Sequence, residues 1–123
     1  MTLFFKKEVQ DKRGKILFFS YGKKQVNFVE IKKKFARGGH YHDFESNHVI
    51  LSGIVRYLEK NLETGLEHSK ILKAPCFVVT PQKRPHLLIA LEDTLFIEVF
   101  DKTYSAVNFP EYRNIVDQRI ISE

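Results

Sequence analysis

The sequence has 123 residues, the length of one domain, and 43% of them are hydrophobic, with 11 Phe and 5 Tyr, so a core can form without staples. No apolar run approaches the ~20 residues of a membrane-crossing helix, and the single cysteine, Cys76, excludes an internal disulfide. Lys plus Arg number 20 against 15 Asp plus Glu, a formal charge of +5 concentrated before residue 40 in Lys6-Lys7, Lys12-Arg13, Lys15, Lys23-Lys24 and Lys32-Lys33-Lys34.

Such a basic surface attracts nucleic acid, a membrane or a phosphorylated metabolite, or simply keeps the chain soluble. The sequence has no zinc-finger spacing, no RNP-like aromatic box and no Gly-rich phosphate loop, so neither nucleic acid nor a membrane is the expected partner. Met1 to Lys7 carries two lysines but no long apolar stretch and no small-residue cleavage site. No signal peptide is expected, and the expected location is the cytoplasm.

In chain order, turn residues recur at Asp11-Lys12-Arg13-Gly14, Tyr21-Gly22-Lys23, Arg37-Gly38-Gly39, Ser52-Gly53, Asn61 to Gly65, Pro81 to Pro85 and Glu92-Asp93. Their spacing is often the ~8–12 residues of an antiparallel sandwich or barrel. Between them, β-branched and aromatic runs predict strands at Ile16-Leu17-Phe18-Phe19, at Val26 to Ile31, and at Val49 to Leu58 bent at Gly53. Further strands are predicted at Cys76-Phe77-Val78-Val79 and at Leu87 to Leu91, the last pairing with Leu95 to Phe100 across Glu92-Asp93. The barrel is expected to span about residues 9–104 of a single domain covering 1–123. From Pro110, a first-turn proline opens a short helix over about 110–121, with Tyr112, Ile115, Val116 and Ile120 on one face. That face would pack on the barrel or on a partner subunit.

His40-Tyr41-His42 carries the most chemistry. Residues two apart on a strand share a face, so the two imidazoles converge while Tyr41 points away. Paired imidazoles suit Fe, Zn, Mn, Ni or Cu, and equally suit acid–base work. Gly38-Gly39 would turn the chain sharply into this strand. His86 arrives later, after the Pro81 to Pro85 segment. His68 lies in a polar hairpin and is expected to be solvated. His48 shares strand parity with Ser46, so it either faces the cavity or is a satisfied core histidine.

The order of two histidines, a strand ending at Gly53, a hairpin, a strand, a Pro-containing turn and one histidine resembles the cupin family. Its first motif, Gly-(x)5-His-x-His-(x)3,4-Glu-(x)6-Gly, is similar to Gly39 through Gly53 here. Its second, Gly-(x)5-Pro-x-Gly-(x)2-His-(x)3-Asn, is similar to Pro81-Gln82-Lys83-Arg84-Pro85-His86. The resemblance spans about half the chain. It implies an all-β jelly-roll barrel and a divalent transition metal (Fe, Zn, Mn or Ni) held by His40, His42 and His86, with Glu45 or water completing the shell. Counted back from Gly53, the family's Glu falls on Ser46, Glu45 is one residue early, Lys83 replaces a Gly and Ala90 replaces the Asn.

The N-terminal half is further similar to the nucleotide-sugar cupins, the 3,4-ketoisomerases of TDP-4-keto-6-deoxyglucose and, more distantly, the 3,5-epimerases of dTDP-4-dehydrorhamnose. The carrying residues are Asp11-x-Arg13-Gly14, Val26-x-Phe28-x-x-Ile31-Lys32-Lys33 and Arg37-Gly38-Gly39-His40-x-His42. That resemblance implies a metal-free homodimer acting on a nucleotide-sugar. His40 and His42 would do the acid–base work, Arg37 would stabilise an anion or enolate, and Arg37, His48, Lys83 and Arg84 would contact the ligand. The family's tyrosine has no match, Phe35 standing nearest. Three functions follow: a nucleotide-sugar isomerase or epimerase, a metal-dependent cupin enzyme such as a dioxygenase or isomerase, and a non-enzymatic small-ligand sensor.

Overall fold

The computed structural model describes residues 1–101 and 105–121. Eleven strands and one helix follow in chain order: β1 (Leu3–Asp11), β2 (Gly14–Tyr21), β3 (Lys24–Ile31), β4 (Ala36–Tyr41), β5 (Ser46–Ser52), β6 (Ile54–Lys60), β7 (Glu67–Lys73), β8 (Cys76–Thr80), β9 (His86–Ala90), β10 (Thr94–Phe100), β11 (Val107–Asn108) and α1 (Pro110–Ile121). They form two facing sheets, ordered β1-β2-β3-β10-β5-β8 and β11-β4-β9-β6-β7, with every pairing antiparallel.

The inward faces carry the apolar residues of each alternation. Val29, Ile31, Ile50, Val78 and Phe96 from the larger sheet meet Val55, Tyr57, Leu72, Leu88 and Ala90 from the smaller. A second core lies on the outer face of the smaller sheet, where Ala36, Leu87 and Ile89 receive Tyr112 and Val116 of α1. The helix spans the predicted residues and packs on the barrel with its predicted face. All five residues of β9 are buried because its inner side chains face the barrel and its outer ones face α1.

Two expectations are corrected. Leu87 to Leu91 and Leu95 to Phe100 do not form a hairpin: β9 pairs with β4 and β6, whereas β10 pairs with β3 and β5. The backbone N–H groups of Leu91 and Glu92 both donate to Ile54 O, which directs the chain from one sheet to the other. The run from Val49 to Leu58 likewise divides at Gly53 into β5 and β6, one in each sheet. The larger sheet begins earlier than residue 9, at Leu3, and the expected barrel end at Tyr104 lies outside the described residues. No helix among the described residues is long and apolar enough to cross a membrane.

Candidate metal centre

The histidines meet because of one irregularity in β4. His40 stands directly opposite His86 on β9, and Gly38 stands opposite Leu87, so Gly39 is an extra residue in the ladder. Gly38 and Gly39 both have positive φ, 104° and 77°, a conformation that costs glycine little. The pair forms a β-bulge rather than the turn expected from the sequence. The inserted residue reverses side-chain parity, so Arg37 and His40, three positions apart, both line one cavity.

Ring centroids lie 4.7 Å apart for His40–His42, 5.0 Å for His40–His86 and 5.5 Å for His42–His86. One nitrogen from each of these rings lies within 4.8 Å of the others. Two rings are oriented by backbone carbonyls: His86 Nδ1 is 3.4 Å from Arg84 O, and His42 Nδ1 bonds Ser105 O. An Nδ1–H donated to a carbonyl leaves the Nε2 lone pair for a metal. His42 also stacks on Phe44, with centroids 4.6 Å apart.

Burial disfavours the charged form of all three rings, and their mutual repulsion adds to it for His40 and His86. His40 is brought down to about 4 by burial and then by His42. His86 falls well below its ordinary value through burial and the neighbouring His48, His40 and His42. His42 is lowered by burial, partly offset by its bond to Ser105. At neutral pH the trio therefore presents neutral imidazoles, the form that binds metal. Three convergent neutral imidazoles, two with fixed tautomers, fit a divalent transition metal.

The sequence reading missed Glu98. It lies on β10 in direct register with Asn27 of β3 and His48 of β5. Asn27 Nδ2 donates to Glu98 Oε1 at 2.9 Å, and His48 Nε2 stands 3.5 Å from Oε2. Burial alone would raise the Glu98 carboxyl, but the bond and charge of His48 and the bond of Asn27 hold it below its ordinary value. Its signal was in the sequence: it is the one acid in the apolar run Leu95 to Phe100. His48 faces the cavity, and its ring lies 5.7 Å from that of His86.

Other expected site residues stand elsewhere. Glu45 is exposed, on the surface beside Asp43 and Asn47, away from the histidine trio. Parity explains this, since Ser46, His48 and Ile50 take the inward positions of β5. Lys83 is exposed and absent from the cavity lining; it has φ 58°, the left-handed geometry suited to the glycine of the family motif. Arg84 is absent from the cavity lining and pairs with Glu59 at 3.2 Å, which in turn accepts from Tyr57 Oη at 2.9 Å. Arg37 does line the cavity and is only 7% exposed, with Nε donating to Glu30 O and Nη2 to Gly14 O. Burial and then the charge of Arg13 lower it to about 10, so it stays cationic at neutral pH. His68 is exposed, as expected.

The cavity has a volume of about 880 Å³. Its inner wall carries His40, His48, His86 and Glu98, and Lys6, Lys7, Arg13, Arg37 and Arg113 also border it.

Two facing antiparallel sheets around an inward histidine trio define a jelly-roll barrel of the cupin type. No protein-family model matches the sequence, and no curated protein matches it. Solved structures do. A two-residue deletion mutant of Bacillus subtilis oxalate decarboxylase superposes with TM-score 0.77 at 18% identity, over 87% of this chain and 31% of that one. CapF bound to the inhibitor 3-isopropenyl-tropolone superposes with TM-score 0.70 at 17% identity, over 85% of this chain and 32% of that one. A further structure of the Bacillus subtilis decarboxylase, described for its Mn(II) centres, gives TM-score 0.75 at 16% identity, over 87% and 31%. At these identities the likeness is one of fold, and the chain spans about a third of the length of the proteins it matches.

Proposed function

We propose that this chain is a metal-dependent cupin in which His40, His42 and His86 hold a divalent transition metal, and the cavity takes a small anionic ligand. The convergence of the three imidazole nitrogens within 4.8 Å carries the reading. Manganese in the structurally similar decarboxylase supports a metal of this class. A divalent ion in such a place supplies Lewis acidity toward a ligand oxygen. The chain's own part is to keep the imidazoles neutral, to pack His42 against Phe44 and Phe100, and to attract an anion through the bordering cations.

Purified protein, stripped with chelator and titrated with Mn(II), Fe(II), Co(II), Ni(II) and Zn(II), should bind about one equivalent per chain of at least one metal. His40→Ala and His86→Ala should lose that binding. Failure of all five metals to bind stoichiometrically at micromolar concentration refutes the proposal.

The cations around the cavity favour a second reading, a nucleotide-sugar isomerase or epimerase. Lys6, Lys7, Arg13 and Arg113 border the cavity with charge that attracts a diphosphate, and Arg37 lines it together with His40. TDP-sugar binding seen by ³¹P NMR, with ¹H NMR evidence of isomerisation in chelator-treated protein, would establish it. An unperturbed ³¹P spectrum would eliminate it.

A further inference from the structure

We infer that Glu98 is the anionic partner of the metal centre, the carboxylate that balances the charge of a divalent ion held by His40, His42 and His86. The inference rests on the metal-dependent reading above. Three neutral imidazoles bring no negative charge to a divalent ion, and five lysine and arginine side chains border the same cavity. An ion taken out of water into such surroundings needs an anion nearby. Among the described residues lining the cavity, Glu98 is the sole carboxylate.

Its placement fits that role. Glu98 rises from the inner face of the larger sheet, opposite the smaller sheet that carries His40 and His86. Its side chain is 20% accessible, through the cavity it lines. The groups holding it are an amide and an imidazole, neither a permanent cation. Arg37 is directed instead to two backbone carbonyls and toward Asp11, 3.9 Å away.

The two residues that hold Glu98 keep polar atoms with no protein partner among the described residues, Asn27 Oδ1 and His48 Nδ1, as does Ser46 Oγ two positions from His48 on β5. Buried polar atoms are normally satisfied, so this part of the wall keeps hydrogen-bonding capacity that the described residues do not use, and His48 brings it to the cavity. Ser46, the position of the family's motif carboxylate, lies on β5, the strand that pairs with β10. The negative charge has thus moved one strand across the sheet.

The test compares wild type with Glu98→Gln in two titrations and a melt. Mn(II) affinity, measured by chelator competition, should fall by about 10–100-fold in the variant. The cobalt-loaded variant should bind azide more tightly than wild type, followed by visible absorption, because an added anion restores the missing charge. A carboxylate that only braces His48 would not produce that gain. Thermal melts in chelator should show the metal-free variant at least as stable as wild type. If Glu98→Gln folds poorly, Glu98→Ala serves, since it too removes the charge, with weaker Mn(II) binding and tighter azide binding again expected. Unchanged affinities for Mn(II) and azide in the folded variant overturn the inference and leave the metal-dependent reading intact. Wild type that takes up none of the five metals overturns both.

Discussion

Gly39→Ala tests how the histidine strand is held. A Cβ at this position would lie 2.9 Å from Arg113 Cα, 3.0 Å from Arg113 N and 3.2 Å from the Tyr112 carbonyl carbon. These are backbone atoms of α1, so no flexible side chain can swing aside. The residue also has φ +77°, which costs an L side chain about 1–2 kcal/mol. Forcing the helix outward adds the cost of overpacking, about 1–3 kcal/mol. Gly65 provides the control: its φ is +75° and a Cβ there meets nothing within 4 Å. Gly65→Ala should therefore lose the backbone contribution alone. The two variants, compared by guanidinium unfolding and by thermal melts followed by circular dichroism, should differ by about 1–3 kcal/mol. For a chain of this size that gap is roughly 5–10 °C in Tm. Gly39→Ala should also weaken Mn(II) binding, because His40 is the next residue, whereas Gly65→Ala should not. Equal destabilisation by the two substitutions would refute the argument that α1 lies hard against the bulge.

Other expectations follow from the same contacts. His40 has its folded value lowered to about 4 by burial, so between about 4 and its ordinary 6.5 the unfolded chain binds a proton that the folded chain does not. Stability of the metal-free protein should accordingly be full above about 6.5 and fall as pH drops toward 4, by up to about 3 kcal/mol from His40 alone. A stability curve flat between pH 7 and 5 would contradict this. Tyr57→Phe removes a hydroxyl shared by Thr80 Oγ1 at 2.7 Å and Glu59 Oε2 at 2.9 Å. It should cost about 1–3 kcal/mol by leaving those groups short of a partner, read from urea midpoints. Arg84→Met breaks the Glu59 pair beside the carbonyl that orients His86, and should weaken Mn(II) affinity by about tenfold without abolishing it. Lys83→Gly relieves a left-handed backbone outside the cavity. It should leave metal affinity unchanged and stability within about 1 kcal/mol, as measured by titration and melting.

The site was legible where its chemistry is local. His40 and His42 share a face by strand parity alone, and the spacing to His86 follows a known pattern, so the trio could be named before any coordinates. The helix was equally legible, because Pro110 and the spacing of Tyr112, Ile115, Val116 and Ile120 are signals read within one turn or two. Partnership between distant strands was not. Glu98 joins the site only because β10 lies between β3 and β5, a pairing that no local pattern encodes. The same limit produced the mistaken β9–β10 hairpin, since a short polar turn can join strands of one sheet or cross between two. β1 and β7 went unrecognised because Lys6, Lys7 and Glu8, and Glu67, His68 and Lys70, leave little apolar alternation to read. Gly38-Gly39 was understood as a need for positive φ, and a bulge meets that need as well as a turn does.

The segment from Ser105 to Ile120 lies against the back of the strand that carries His40. Ser105 O orients the His42 ring, Phe109 N–H donates to Gly39 O, and Arg113 reaches Gly38 O. These residues leave the ribosome after every histidine of the trio. The three histidines are thus synthesised before the segment that packs against them. On the proposed metal-dependent reading, an ion reaching the nascent chain meets an H-x-H pair without Ser105 O, which orients the His42 ring in the folded protein. On that reading, selection of the metal belongs to the completed barrel rather than to the nascent chain.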